Sequence, residues 1–127
     1  MKLTIKTGDL EKILISINKL MKKELPIQIS FQLKKIYKQL ENEIKIYEES
    51  KLDLLNKYAD RDDYGNLKIE NEYYVIKKEN RDDFANEMNS LNNIDIELEF
   101  EPISIQYLSD VKLTAEDLII LEDFLVE

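Results

Sequence analysis

Leu33, Tyr37, Leu40, Ile44, Tyr47, Lys51, Leu54 and Tyr58 follow one another at alternating steps of four and three, and all but one are apolar or aromatic. That spacing lays a single seam along a helix and asks for a helical partner, from the same chain or from another copy. Leu25-Pro26 marks where the helix starts, because proline disfavours helix at the residue before it and suits a first helical turn. A helix over about residues 27–58 would be roughly 45 Å long at 1.5 Å per residue, too long to be covered by one short neighbour. A preceding helix can cover its first turns; its distal part must meet a third helix, a partner protein or another subunit. Lys51 breaks the apolar seam and can carry its ammonium out to solvent. Tyr47, Lys51, Leu54 and Tyr58 are therefore candidate protein-interface positions, and a homodimer through the long helix is one way to satisfy them.

The rest of the chain reads as a single α+β domain over 1–127, with the long helix projecting and a small β-containing region over about 64–127. Lys2 to Lys6 alternates, with Leu3 and Ile5 on one side, as a short strand does. Thr7-Gly8-Asp9 can cap a helix whose stripe is Leu10, Ile13, Leu14, Ile17, Leu20 and Met21, so the first two helices form a long antiparallel, coiled-coil-like hairpin. Leu67 and Ile69, then Tyr73 to Ile76, suggest a hairpin joined through Glu70-Asn71-Glu72, although no Asn-Gly or Asp-Gly turn lies between them. Asn80 is placed to cap a third helix through about Leu91 that carries Phe84 and Met88. Ile94 to Phe100 alternates apolar and acidic residues, which predicts a strand whose carboxylates lie in solvent or beside Lys2 and Lys6. Pro102 ends it. Near the C-terminus Thr114 and Asp117 stand at capping-box spacing, with Leu113 and Leu118 as a staple, ahead of a helix offering Leu118, Leu121, Phe124 and Leu125 to the core.

Chemistry is scarce. Without cysteine or histidine the chain has no thiol nucleophile, disulfide or imidazole base. The serines lack the context of a hydrolase motif. Asp60 to Glu72 matches a calcium loop at positions 1, 3 and 6 through Asp60, Asp62 and Gly65, but Tyr64 and Asn71 stand where ligands belong, so an acidic turn is the better reading. Asp62 and Asp63 with Asp82 and Asp83 read as solvated carboxylates. No catalytic, cofactor-binding or metal residue is assigned, and the chain is not expected to be an enzyme. Net charge is −9, split as +4 over residues 1–58 and −13 over residues 59–127. Direct binding of nucleic acid through Lys34, Lys35 and Lys38 is disfavoured by that acidity. No apolar stretch suits a signal peptide or membrane span, so a soluble protein with no membrane partner is expected. The strand row Asp95, Glu97, Glu99 and Glu101 could meet an Arg/Lys-rich groove. Tyr37, Tyr47 and Tyr58, with Tyr73 and Tyr74, serve as core or as interface anchors.

Lys22-Lys23-Glu24-Leu25-Pro26 ahead of Phe31, Leu33 and Lys34, then Glu48-Glu49, Lys51, Leu55 and Tyr58, the Asp63-Tyr64-Gly65-Asn66 loop, Val111-Lys112-Leu113-Thr114 and Leu121-Glu122-Asp123-Phe124 together resemble a family of small uncharacterised proteins of phages and prophages of Gram-positive bacteria. The resemblance covers nearly the whole chain and implies a phage accessory protein in the bacterial host cytoplasm, with no catalytic residues to carry over. The expected function is binding to a host or phage protein, including inhibition of a host defence or nucleic-acid enzyme through an acidic surface. The alternative is a homo-oligomeric morphogenesis or assembly factor. One local prediction follows from the capping box: Thr114→Ala should cost about 1 kcal/mol in chemical denaturation.

Overall fold

The computed structural model describes residues 1–127. In chain order the elements are β1 (Lys2–Lys6), α1 (Leu10–Met21), α2 (Ile27–Tyr58), β2 (Ile69–Glu70), β3 (Tyr73–Tyr74), α3 (Arg81–Asn92), β4 (Asp95–Glu99), β5 (Ile103–Ser104), α4 (Ala115–Leu121) and β6 (Leu125–Val126). This is a mixed α+β fold in which one long helix packs against another beside two small antiparallel sheets.

The core forms where the two helical stripes meet. Leu10, Ile13, Ile17 and Leu20 of α1 bury against Ile29, Leu33, Ile36 and Leu40 of α2. Leu33 and Leu40 belong to the expected seam, and Ile29 and Ile36 do not. The seam's Tyr37 and Ile44 and the stripe's Leu14 pack half-buried beside the core, whereas Met21 stays 37% exposed. Ile96, Leu98 and Phe100 add one face of β4, and Ile103, Leu108, Leu121 and Phe124 close the cluster from the C-terminal segment. Each such side chain contributes about 1.5–3 kcal/mol by leaving water. Phe100 and Phe124 meet with ring centroids 4.9 Å apart. Pro26 makes the α1–α2 corner: its extended backbone carbonyl accepts the Ile29 and Ser30 amides at 2.9 and 3.0 Å, opening α2 without a side-chain cap.

β1 pairs antiparallel with β4, Lys2 opposite Glu99 and Lys6 opposite Asp95. The expected lysine partners are in place: Lys6 bridges Asp95, and Lys2 reaches diagonally to Glu97 at 3.4 Å. The corner after β1 is tied to the end of α3, where Thr7 donates its hydroxyl to the Leu91 carbonyl and its amide to Ile94 O at 3.0 Å. Gly8 permits this approach, since a Cβ there would lie 3.0 Å from the Asn92 carbonyl oxygen. Asp9 makes no capping bond to α1 and pairs with Lys12 at 3.1 Å instead.

Two local expectations change. Asn80 has helical backbone angles, so its side chain does not cap α3; it turns back and donates to the last carbonyl of α2, Tyr58 O, at 3.2 Å. The hairpin is tighter than its sequence suggests: Glu70 closes β2, and Asn71 and Glu72 make the turn with φ of +51° and +69°. Those angles belong to a two-residue turn of the I′ class, which Asn-Gly would satisfy with less strain. Bridges from Ala59 to Ile76 and from Arg61 to Leu67 continue the pairing beyond the hairpin.

The C-terminal capping box is fully formed. Thr114 Oγ1 accepts the Asp117 amide at 3.0 Å, and Asp117 Oδ2 accepts the Thr114 amide at 3.3 Å. Asp117 is also only 5% exposed, and its carboxylate accepts bonds from Ser16 at 3.1 Å and from Lys19 at 3.0 Å, both on α1. α4 is therefore fastened to α1 by a charged side chain as well as by Leu121. After a 3₁₀ turn at Glu122–Phe124, β6 lies parallel to β5, with Leu125 beside Ile103.

The Lys19 ammonium holds the Asp117 carboxyl down from 3.8 to about 2; burial opposes the shift, and Thr114 and Ser16 assist it. A depressed acid stabilises the fold where it is ionised, so its contribution is complete above the unfolded value of 3.8 and fades as pH falls through about 2. Urea titrations of the wild type and Asp117→Asn should differ at neutral pH and converge as pH falls from 3.8 toward 2. A constant gap across that range would assign the stabilisation to something other than the ionised carboxylate.

Candidate interaction surface

The helical partner for the seam is supplied within the chain. α3 lies against the distal half of α2, with a polar contact toward each end of the packing. Tyr47 donates its hydroxyl to Asn92 Oδ1 at 2.6 Å, and Lys57 pairs with Glu87 at 3.4 Å. Tyr58 is buried, with its ring edge-on to Phe84 at 6.2 Å between centroids. Burial, aided by the Glu48 and Glu11 carboxylates, pushes the Tyr47 hydroxyl above its usual value. Lys51 and Leu54 are half-buried on the same flank, and Leu54 lines a shallow groove with Lys57, Glu87 and Leu91. Tyr47, Lys51, Leu54 and Tyr58 thus share one side of α2, and two of the four are bonded or stacked to α3. Tyr73 and Tyr74 lie elsewhere, 77% and 46% exposed on the hairpin.

The acidic row is only partly free. Asp95, Glu97 and Glu99 project from β4 with Glu101 just beyond it, all exposed. Lys6 and Lys2 take the first two, and Glu101 accepts Gln32 Nε2 at 3.1 Å. Gln39 grips the Glu99 backbone from α2, donating to its carbonyl at 2.6 Å and accepting its amide at 3.0 Å. Only the Glu99 carboxylate stands without a cation or a donor. Exposed ion pairs add little stability, yet they do neutralise the field a basic partner would follow.

In the loop over residues 60–72 the carboxylates serve the backbone. Asp62 Oδ1 accepts the Tyr64 and Asn66 amides at 2.9 and 3.0 Å, Asp60 Oδ1 accepts the Arg61 amide at 2.9 Å, and Gly65 takes φ of +81°. This is an Asx-type turn, and no three carboxylates of the chain converge as metal ligands would. Asp82 and Asp83 lie exposed in the first turn of α3, where negative charge suits the helix dipole.

A further apolar surface lies at the C-terminus, outside the seam and the acidic row. Ile105, Leu118, Ile119 and Val126 are 49%, 43%, 68% and 44% exposed, and with Leu125 they line an open groove edged by Glu122 and Glu127. Leu118 was expected inside. Its displacement follows from Asp117: residues 117, 121 and 124 form the buried row of the last helical turns, so the helix is rotated to face a carboxylate inward and Leu118 and Ile119 outward. A signal was available, since Leu118-Ile119-Ile120-Leu121 is a run of four apolar residues that cannot all occupy one face of a helix.

No protein-family model matches the chain, and no curated protein or solved structure matches it either. No helix is long and apolar enough to cross a membrane.

Proposed function

We propose that this chain is a phage accessory protein that works in the bacterial host cytoplasm by binding a host or phage protein. The observation that carries the reading is the C-terminal groove, where four exposed apolar side chains lie together beside Glu122 and Glu127. Contiguous exposed apolar area rimmed by polar groups is characteristic of protein-binding surfaces. The acidic rim, in a half-chain of net charge −13, selects a partner whose apolar anchor is flanked by lysine or arginine. A basic region of a host defence or nucleic-acid enzyme has that chemistry, and occupying it would inhibit the enzyme. In this reading α1 and α2 form an antiparallel, coiled-coil-like hairpin that serves as the scaffold for the groove.

A second reading has its own observation. Ile27 and Phe31 are 81% and 57% exposed on α2, next to the exposed Lys34, Lys35 and Lys38. An apolar pair beside cations is what the acid-rimmed groove would accept, so a second copy can dock head to tail. Such a contact is heterologous and builds rings or filaments, as an assembly factor requires.

The test is light scattering on material purified from the native type of bacterial host, with peptide identification. Ile119→Asp places a charge in the groove at an already exposed position and should leave the fold intact while weakening partner binding about tenfold or more. Loss of a stoichiometric host protein with Ile119→Asp supports the accessory-binder reading. Self-association abolished by both Ile119→Asp and Phe31→Asp supports assembly. Binding indifferent to Ile119→Asp removes the groove from the account.

A further inference from the structure

The two edges of the β1–β4 sheet are finished differently. Met1 and Phe100 exchange both backbone bonds, at 3.1 and 3.0 Å, and Thr7 donates to Ile94 O at 3.0 Å. In an antiparallel ladder the bonded pairs alternate, so residues 1, 3, 5 and 7 direct their backbone groups toward β4, and Lys2, Thr4 and Lys6 direct theirs to the far side. The sheet ends at β1 and all three residues are exposed; the Lys6 carbonyl is taken by the 3₁₀ turn Thr7–Asp9 that it caps, which leaves the three amides and the Lys2 and Thr4 carbonyls facing outward. On the opposite edge, the Gln39 amide satisfies both backbone groups of Glu99, while those of Asp95 and Glu97 face away from β1 by the same alternation. Beside the open edge runs a groove whose lining includes Thr4, Ile5, Lys6, Ile119, Ile120 and Asp123.

We propose that the open edge of β1 takes an extended segment of a partner protein as an added strand, with acidic side chains opposite Lys2 and Lys6 and apolar ones against Ile119 and Ile120. Charge selects the occupant. An added strand lies about 4.8 Å from β1 and twice as far from β4, so the lysines are its nearest charges in the sheet and the β4 acids are remote. Both lysines are already paired with Glu97 and Asp95 of β4, so acids on the added strand would share the two ammonium groups from the other side. A second copy of β1 is a poor occupant: antiparallel pairing centred on Thr4 sets each Lys2 against a Lys6, and like charges directly opposite are destabilising. The segment therefore reads acid, apolar, small polar, apolar, acid. This surface adjoins the glutamate-edged groove at Ile119, which lines both, and its charge preference is the reverse.

The probe is a capped peptide, Val-Glu-Val-Thr-Val-Asp-Val, added to isotope-labelled full-length protein and followed by NMR. The expected result is saturable shifts and slowed exchange at the amides of Lys2, Thr4 and Lys6. Replacing both peptide acids with lysine should weaken binding tenfold or more, and N-methylating the peptide amides of Glu, Thr and Asp should abolish it without altering charge. Thr4→Pro removes the outward N–H while leaving the β1–β4 bonds in place, and should also abolish binding. If Thr4→Pro does not fold, the N-methylated peptide decides alone. Equal binding of the lysine or N-methylated peptide, no shift at millimolar peptide, or self-association of the free protein through the β1 amides would overturn the proposal.

Discussion

The carboxylate of Asp117 is the interaction on which the C-terminal third depends. It is nearly buried, yet ionised, because α1 supplies the Lys19 ammonium and the Ser16 hydroxyl, and its own helix start supplies the Thr114 amide. A buried charge is tolerated only when its oxygens are satisfied in this way. One residue thus joins a local task, capping a seven-residue helix, to a long-range one across 98 residues of sequence from Lys19. A helix that short has no stability of its own. The tether also fixes its rotation, so that Leu121 enters the core while Leu118 and Ile119 are left outside. The apolar groove is a consequence of where that carboxylate points.

The long helix is stabilised in two halves. Its first half shares the main core with α1 and β4; its second half, around Leu55, Tyr58 and Ala59, is covered by α3 and by the chain folding back through residues 75–80. That return also finishes the helix, because Lys77 N and Asn80 Nδ2 both reach the Tyr58 carbonyl. The unpaired carbonyls at a helix end need such donors, and no glycine is available here to make a left-handed cap. A seam that asked for a partner helix thereby found it in a segment with no fully buried residue of its own.

Periodicity made the main elements legible. The two helical stripes, the alternating strand at residues 94–100, its pairing with Lys2 and Lys6, and the capping box of Thr114 were all readable, because each is written in residues that are neighbours on one face or one turn. Three features were not. Asn80 has the composition of a helix cap but the backbone angles of a helix, and only the nearby end of α2 gives its amide a use. Glu72 occupies a left-handed turn position that composition assigns to glycine, held there by the ladder on either side. Leu118 lost its inward place to Asp117, since a partner for that carboxylate exists only once α1 is folded beside it. For the candidate surfaces, the acidic row and its two lysine partners were both legible, whereas the groove was hidden within an apolar run that looked like core.

Hydrogen exchange measured segment by segment on the wild type and on Asp117→Asn tests the role of the tether most directly. The account predicts faster exchange in α4, the following 3₁₀ turn and the β5–β6 pair, with α1, the first half of α2 and the β1–β4 ladder unchanged. Unaltered protection in α4 would show that apolar packing alone holds the segment, and a uniform increase along the whole chain would show that Asp117 supports the entire core rather than the placement of one helix.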